Sequence, residues 1–305
     1  MTTKGRRAGK TMSSPAEIRA EALRQEALTR VRQEQFDDAL ALYGEAFSLA
    51  ADEEARELIT INKADALIAM GQSGPEVQQL PTILMRRRNL HHAFLAAYAL
   101  MYKHRLQNET KRGIFYGQVA LDAAVEANEP MWKIGALNDL GIIYEADSQF
   151  SRSVECFEQA LALIDQVSDG NDQLFGRMAV LENLGYSKMQ VGEVAEGLEM
   201  ILGVIDKLET PSAIADAHLD LCYGYLELED YEKARHHGEI GLSQAAEPRE
   251  IRNAHYLLGE VAYKAGDLEA AELHFEELAR YYPQFRNLKS LLFAIDLRSM
   301  VNFRL

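Results

Sequence analysis

Eight histidines and two cysteines are the residues of this 305-residue chain best suited to ligate a metal or to pair a nucleophile with a base. Their spacing supports neither role. His91-His92 and His236-His237 are adjacent pairs, and neighbours on a helix point about 100° apart, so neither pair chelates well. His218 and Cys222 stand four apart and share one helix face, but a zinc site needs three or four ligands. Both fall where side chains pack between helices, so packing is the reading the sequence favours. Cys156 and Cys222 form no CxxC, which removes a zinc ribbon and a disulfide framework. There is no phosphate-cradling Walker pattern, no GxSxG elbow and no HExxH. The expectation is a protein without catalytic residues, metal or cofactor.

The charge distribution narrows the partners. The chain carries a net charge of −15, yet Lys4, Arg6, Arg7 and Lys10 give its first fourteen residues +4, so the remainder is more acidic still. Such a body repels phosphate backbones and argues against nucleic acid. No apolar segment follows the basic start, as a secretory signal would require. The longest mostly apolar run, Ala93 to Tyr102, is about half of a membrane span. A cytoplasmic location and no membrane span are expected.

What organises the chain is self-similarity. Leu140, Gly141 and Tyr144 are followed by Phe157 and Ala160; Leu258 and Gly259 by Gly266, Ala271, Phe275 and Pro283. Leu184-Gly185 with Gly192 and Gly197, and Leu221-Cys222 with Tyr225, Tyr231, Ala234 and Gly241, fit the same frame. Weaker copies lie upstream. The marker positions Ala27, Ala64, Met101, Gly141, Gly185, Cys222 and Gly259 are separated by 37, 37, 40, 44, 37 and 37 residues. A small side chain recurring at that interval lets two antiparallel helices cross closely. Glycines such as Gly192 and Gly266, just past the first helix, supply a left-handed cap.

In these residues the chain resembles the tetratricopeptide repeat family. The resemblance runs from about Ala16 to Pro283 and implies an all-α, right-handed superhelical solenoid of about seven helix pairs with a C-terminal capping helix. The expected organisation is a basic tail over 1–14, the solenoid over 15–283 and the cap over 284–305. Between Gly71 and Asn89 the second helix contains Pro75 and Pro81, so it should be short, kinked or restarted at Pro81, and the chain could hinge near Pro75 to Arg88.

The resemblance also implies where a ligand would lie, because in this family the first helix of each pair lines a concave groove. Positions three before, two before, one after and four after each marker turn inward. From those positions Tyr98, Tyr102, Asn138, Asn183, Tyr186, Tyr223 and Tyr256 are the candidates for holding a peptide or partner helix. Tyrosine brings contact area with a polar tip, and asparagine both donates to and accepts from a peptide backbone. The bland alternative is that many of these tyrosines pack between helices. The acidic groove favours a basic or amphipathic partner; Arg86 to His92 with Lys103 to Arg105 is a local basic exception, which reads as a solvated loop or, alternatively, as a place for an acidic segment or phosphate. In the last helix Phe293, Leu297, Met300 and Val301 form an apolar side that could pair two copies into a homodimer or fold onto the chain itself.

The function these features imply is a non-catalytic scaffold or adaptor that binds protein or peptide. The alternatives are a peptide-sensing regulator whose output lies in a separate partner, since only about fifteen residues precede the first helix, or a non-catalytic subunit of an enzyme complex.

Overall fold

The computed structural model describes residues 14–167, 171–283 and 286. Phe293, Leu297, Met300 and Val301 lie outside the described residues. Within them are fourteen α-helices, one 3-10 turn and no strand.

The helices come in seven consecutive pairs. They are α1 (Pro15–Arg32) with α2 (Phe36–Leu49), α3 (Glu53–Ala69) with α4 (Pro75–Arg86), and α5 (Leu90–Leu106) with α6 (Thr110–Ala127). Then follow α7 (Pro130–Ala146) with α8 (Phe150–Gln166), and α9 (Asn171–Gln190) with α10 (Val194–Leu202), which ends in a 3-10 turn at Ile205–Lys207. The last are α11 (Pro211–Glu227) with α12 (Tyr231–Gln244), and α13 (Pro248–Lys264) with α14 (Leu268–Tyr281). The chain forms two compact units, Met1–Glu129 with the first three pairs and Pro130–Leu305 with the other four.

Local chemistry sets the starts. Ser14 and Glu17 exchange side-chain and backbone hydrogen bonds in a capping box ahead of α1. Asp52, Asn89, Thr210, Asp230 and Asp267 each accept from a backbone N–H of the first turn they precede. Pro15, Pro75, Pro211 and Pro248 sit in the first turn, where a missing N–H costs nothing.

The turns inside the pairs are uniform. Glu34, Gly71, Asn108, Ser148, Gly192, Glu229 and Gly266 all have positive φ, between 55° and 94°. Each lies seven residues beyond the small marker of its repeat. One left-handed residue therefore reverses the chain in every pair, whatever the side chain. Gly192 and Gly266 do so without strain, as their position predicted; a residue with a Cβ pays about 1–2 kcal/mol in this region. Glu229 is exposed and precedes the cap Asp230. Glu229→Gly is expected to raise stability by about 0.5–1 kcal/mol, the strain relieved less the extra entropy of an unfolded glycine. A urea titration measures this, and a lower midpoint for the variant would refute the strain.

The markers are where the helices touch. Ala27, Ala64 and Cys222 have no exposed surface. A Cβ on Gly141 would come within 2.5 Å of the Phe157 ring, and one on Gly185 within 2.9 Å of the Gly197 carbonyl oxygen. Close approach, not turn flexibility, is why these two are glycine.

Pro81 does not restart the chain. It sits inside α4, a helix of only 12 residues that stays continuous because Val77, Leu80 and Ile83 are buried along one side. They join Ile61, Ile68, Ala96 and Leu100 in one core spanning α3, α4 and α5. Residues 75–88 lie within the first unit, and the division between the two units falls at Glu129 and Pro130. In the second unit α9 to α14 share a core that includes Leu198, Ile201, Leu221, Leu257, Val261 and Phe275.

Candidate functional site

In the first unit, the first helices α1 and α3 border a cleft of about 660 Å³. Its walls carry Ser14, Glu17, Glu21, Arg24 and Asp52 beside Leu58 and Ile59. Arg24 grips both carboxylate oxygens of Glu21 at 2.6 and 2.8 Å and donates 2.8 Å to Asn62 Oδ1, tying α1 to α3. The Arg24 hydrogen bond holds the Glu21 carboxyl below its usual pKa. Arg24 and Asn62 stand three and two residues before their markers. Those offsets apply to every first helix, so they could have been read from the sequence in these two repeats as well.

Tyr98 and Tyr102 are on α5 and both are half-buried. Tyr98 packs 5.5 Å from the Phe94 ring, and the Arg105 guanidinium lies 5.0 Å from the centre of Tyr102.

In the second unit Asn138 on α7 is half-buried, and its Oδ1 accepts from Asn183 Nδ2 on α9 at 3.5 Å. Asn183 itself is buried. Tyr186, only 1% exposed, lies between Phe150 and Tyr223, with ring centres 6.3 and 6.4 Å away. Tyr223 is buried as well. Tyr256 is enclosed on α13. These tyrosines thus contribute mainly packing area, while Asn138, Tyr98 and Tyr102 remain half open.

A narrow cleft runs across α9, α11 and α13. Tyr186, Asp216, Leu219, Asp220, Tyr223, Asn253 and Leu257 line it, and Tyr256 is not among them. Its volume of about 10 Å³ is room for roughly one water. Small-molecule pockets are typically about 300–1,000 Å³. Asp216 accepts both contacts from Arg249 Nη2 at 2.9 and 3.0 Å, which fixes α11 against α13. Asp216 and Asn253 each sit six residues before their marker, one turn beyond the offsets at which the repeat pattern places groove residues.

Acidic side chains are enclosed along the same helices. Glu145 accepts from Ser187 Oγ at 2.5 Å, and Ser187 meets Ser153 at 2.9 Å, a buried chain joining α7, α8 and α9. Asp220, Glu250 and Glu260 are buried too. The Cys222 thiol, fully enclosed, has its pKa driven up by burial. Among the described residues no three His, Cys, Asp or Glu side chains are grouped to hold a metal ion, and no helix is long and apolar enough to cross a membrane.

No family model and no curated protein matches the chain. Solved structures do. Apo RapI superposes with a TM-score of 0.67 at 15% identity, over 93% of this chain and 85% of that one. The complex of NprR with its cognate peptide NprX gives 0.67 at 14% identity, over 92% and 84%. A signal-transduction ATPase with a tetratricopeptide repeat sensor, from Pyrococcus horikoshii, gives 0.67 at 16% identity, over 90% of this chain and 44% of that one. At such identities the likeness is one of fold, and the fold of this chain is that of tetratricopeptide-like helical repeats.

Proposed function

We propose that this protein is a non-catalytic binding module that docks an extended peptide, or a segment of a partner protein, on the faces of its first helices. The carrying observation is the polar surface of the second unit. There Asn138 and Asn183 touch, and Asp216, Asp220, Tyr223 and Asn253 gather on the adjoining helices along a narrow cleft. Paired amides match the donors and acceptors of an extended backbone, and the carboxylates favour a basic or amphipathic sequence. The fold supports this reading, because NprR carries its cognate peptide on the same kind of scaffold. Scaffolding and peptide-controlled regulation through a separate output partner both follow from such a surface.

Pull-down with mass spectrometry identifies the partner, and titration calorimetry measures its affinity. Asn138→Ala combined with Asn183→Ala is expected to weaken binding about tenfold, the loss of one or two net hydrogen bonds. Undiminished affinity in the double variant would remove the amide pair from the docking surface.

A further inference from the structure

Two histidine pairs lie apart from the proposed docking surface. His218 on α11 faces His237 on α12, and His255 on α13 faces His274 on α14; in each pair the two Nδ1 atoms are 3.0 Å apart. Both members recur 37 residues later, one repeat on, so the same contact is built into two successive helix pairs. Ring centres are 5.2 and 5.3 Å apart. Taking away the 3.0 Å contact leaves about 1.1 Å at each end, the radius of an imidazole ring, so the nitrogens meet head-on. That is the geometry of an N–H···N hydrogen bond, with one ring donating from Nδ1 and the other accepting there. A metal held by both nitrogens at about 2.0–2.1 Å would have to sit off the line that joins them.

We propose that these two pairs form an acid-sensitive clasp between the paired helices of the sixth and seventh repeats. One extra proton per pair is compatible with the contact, because a charged ring still donates to a neutral one. The second proton makes both Nδ1 atoms donors, which abolishes the hydrogen bond and sets two like charges against each other in half-buried sites.

The surroundings of each pair act in the same direction. Burial, then the charge of His218, followed by His236 and Lys233, lowers His237 to about 4; burial, then His255 and Arg235, lowers His274 to about 4 against the pull of Glu277. His218 and His255 are lowered by burial first, with His236 acting on one, and Arg280 against Glu277 on the other. The Tyr225 ring stacks on His237 at 5.4 Å. One turn along from His218, the thiol of Cys222 is buried and feels Glu260 of α13. Since folding lowers these pKa values, the stability they confer is fully present above about pH 6.5 and is lost as pH falls toward 4.

Urea unfolding of the full chain at a series of pH values gives the protons taken up, from the slope of stability against pH. Near pH 5.5 the unfolded chain protonates nearly all four rings, whereas the folded clasp admits at most one proton per pair, so unfolding should take up at least about two protons at these sites. His237→Gln with His274→Gln should reduce the uptake by at least about one proton, while His236→Gln should change it less, because that exposed ring acts on one pair only, through its charge. Equal uptake in the parent and the double variant overturns the proposal. Should the double variant fail to fold, imidazole nitrogen NMR of the parent decides: the second proton of each pair entering below about pH 5 supports the clasp, and four rings titrating independently near 6.5 overturn it.

Discussion

Gly185→Leu should unfold the second unit or leave it several kcal/mol less stable. Helices α9 and α10 cross with backbone against backbone: a Cβ on Gly185 would stand 2.9 Å from the Gly197 carbonyl oxygen and 2.8 Å from Ile201 Cγ1. A side chain tip can turn away, but a carbonyl moves only with its helix. Removing a mid-helix glycine gains about 0.8–1 kcal/mol of propensity. Overpacking costs typically about 1–3 kcal/mol and more where backbone must shift, so the loss wins. Gly141 provides the comparison, since a Cβ there meets the ring of Phe157, and a side chain yields more readily than a backbone. Gly141→Ala should therefore cost less than Gly185→Ala, and both less than Gly185→Leu. Urea midpoints give the order; a Gly185→Leu protein as stable as its parent would mean the helices do not cross as described.

Asp220→Asn should separate binding from stability. Asp220 is buried at the edge of the cleft formed with Tyr186, Tyr223 and Asn253. Asparagine keeps its shape and removes its charge. A charge-assisted hydrogen bond to a basic partner contributes about 1.5–3 kcal/mol, so affinity should fall roughly tenfold to a hundredfold. Stability should change by less, because asparagine keeps a hydrogen-bonding oxygen for the interactions Asp220 makes within the fold. Calorimetry of the partner together with thermal unfolding reads both quantities. A variant that loses stability and keeps its affinity would make Asp220 a packing residue alone.

The register of the repeats was legible because it rests on contacts that only small side chains permit. Ala27, Gly141, Gly185, Cys222 and Gly259 mark the crossings, and the residue seven further on turns the chain every time. Glu34, Ser148 and Glu229 show why that turn is hard to read directly: they adopt positive φ without being glycine, so position predicts it and composition does not. Depth was less legible. An offset from the marker tells which side of a first helix a residue occupies, but not whether the next helix closes over it. Tyr186 and Tyr223, each one residue past a marker, are covered in this way. Tyr102, at the same offset, is half open. Of the outcomes open at Pro81, a short helix or a break, the structure has the short helix. Local propensity argues for a break there, and the burial of Val77, Leu80 and Ile83 overrides it. The histidine pairs depend on two residues 19 apart meeting across a helix pair, a contact that no local spacing rule reports.

Photo-crosslinking tests the docking surface most directly. A photoreactive phenylalanine placed at Asn253, on the cleft of the first helices, should attach covalently to the bound partner, and the same probe at Glu239, exposed on α12, should not. Partner adducts from position 239 and none from position 253 would put the ligand on the second helices and contradict the account.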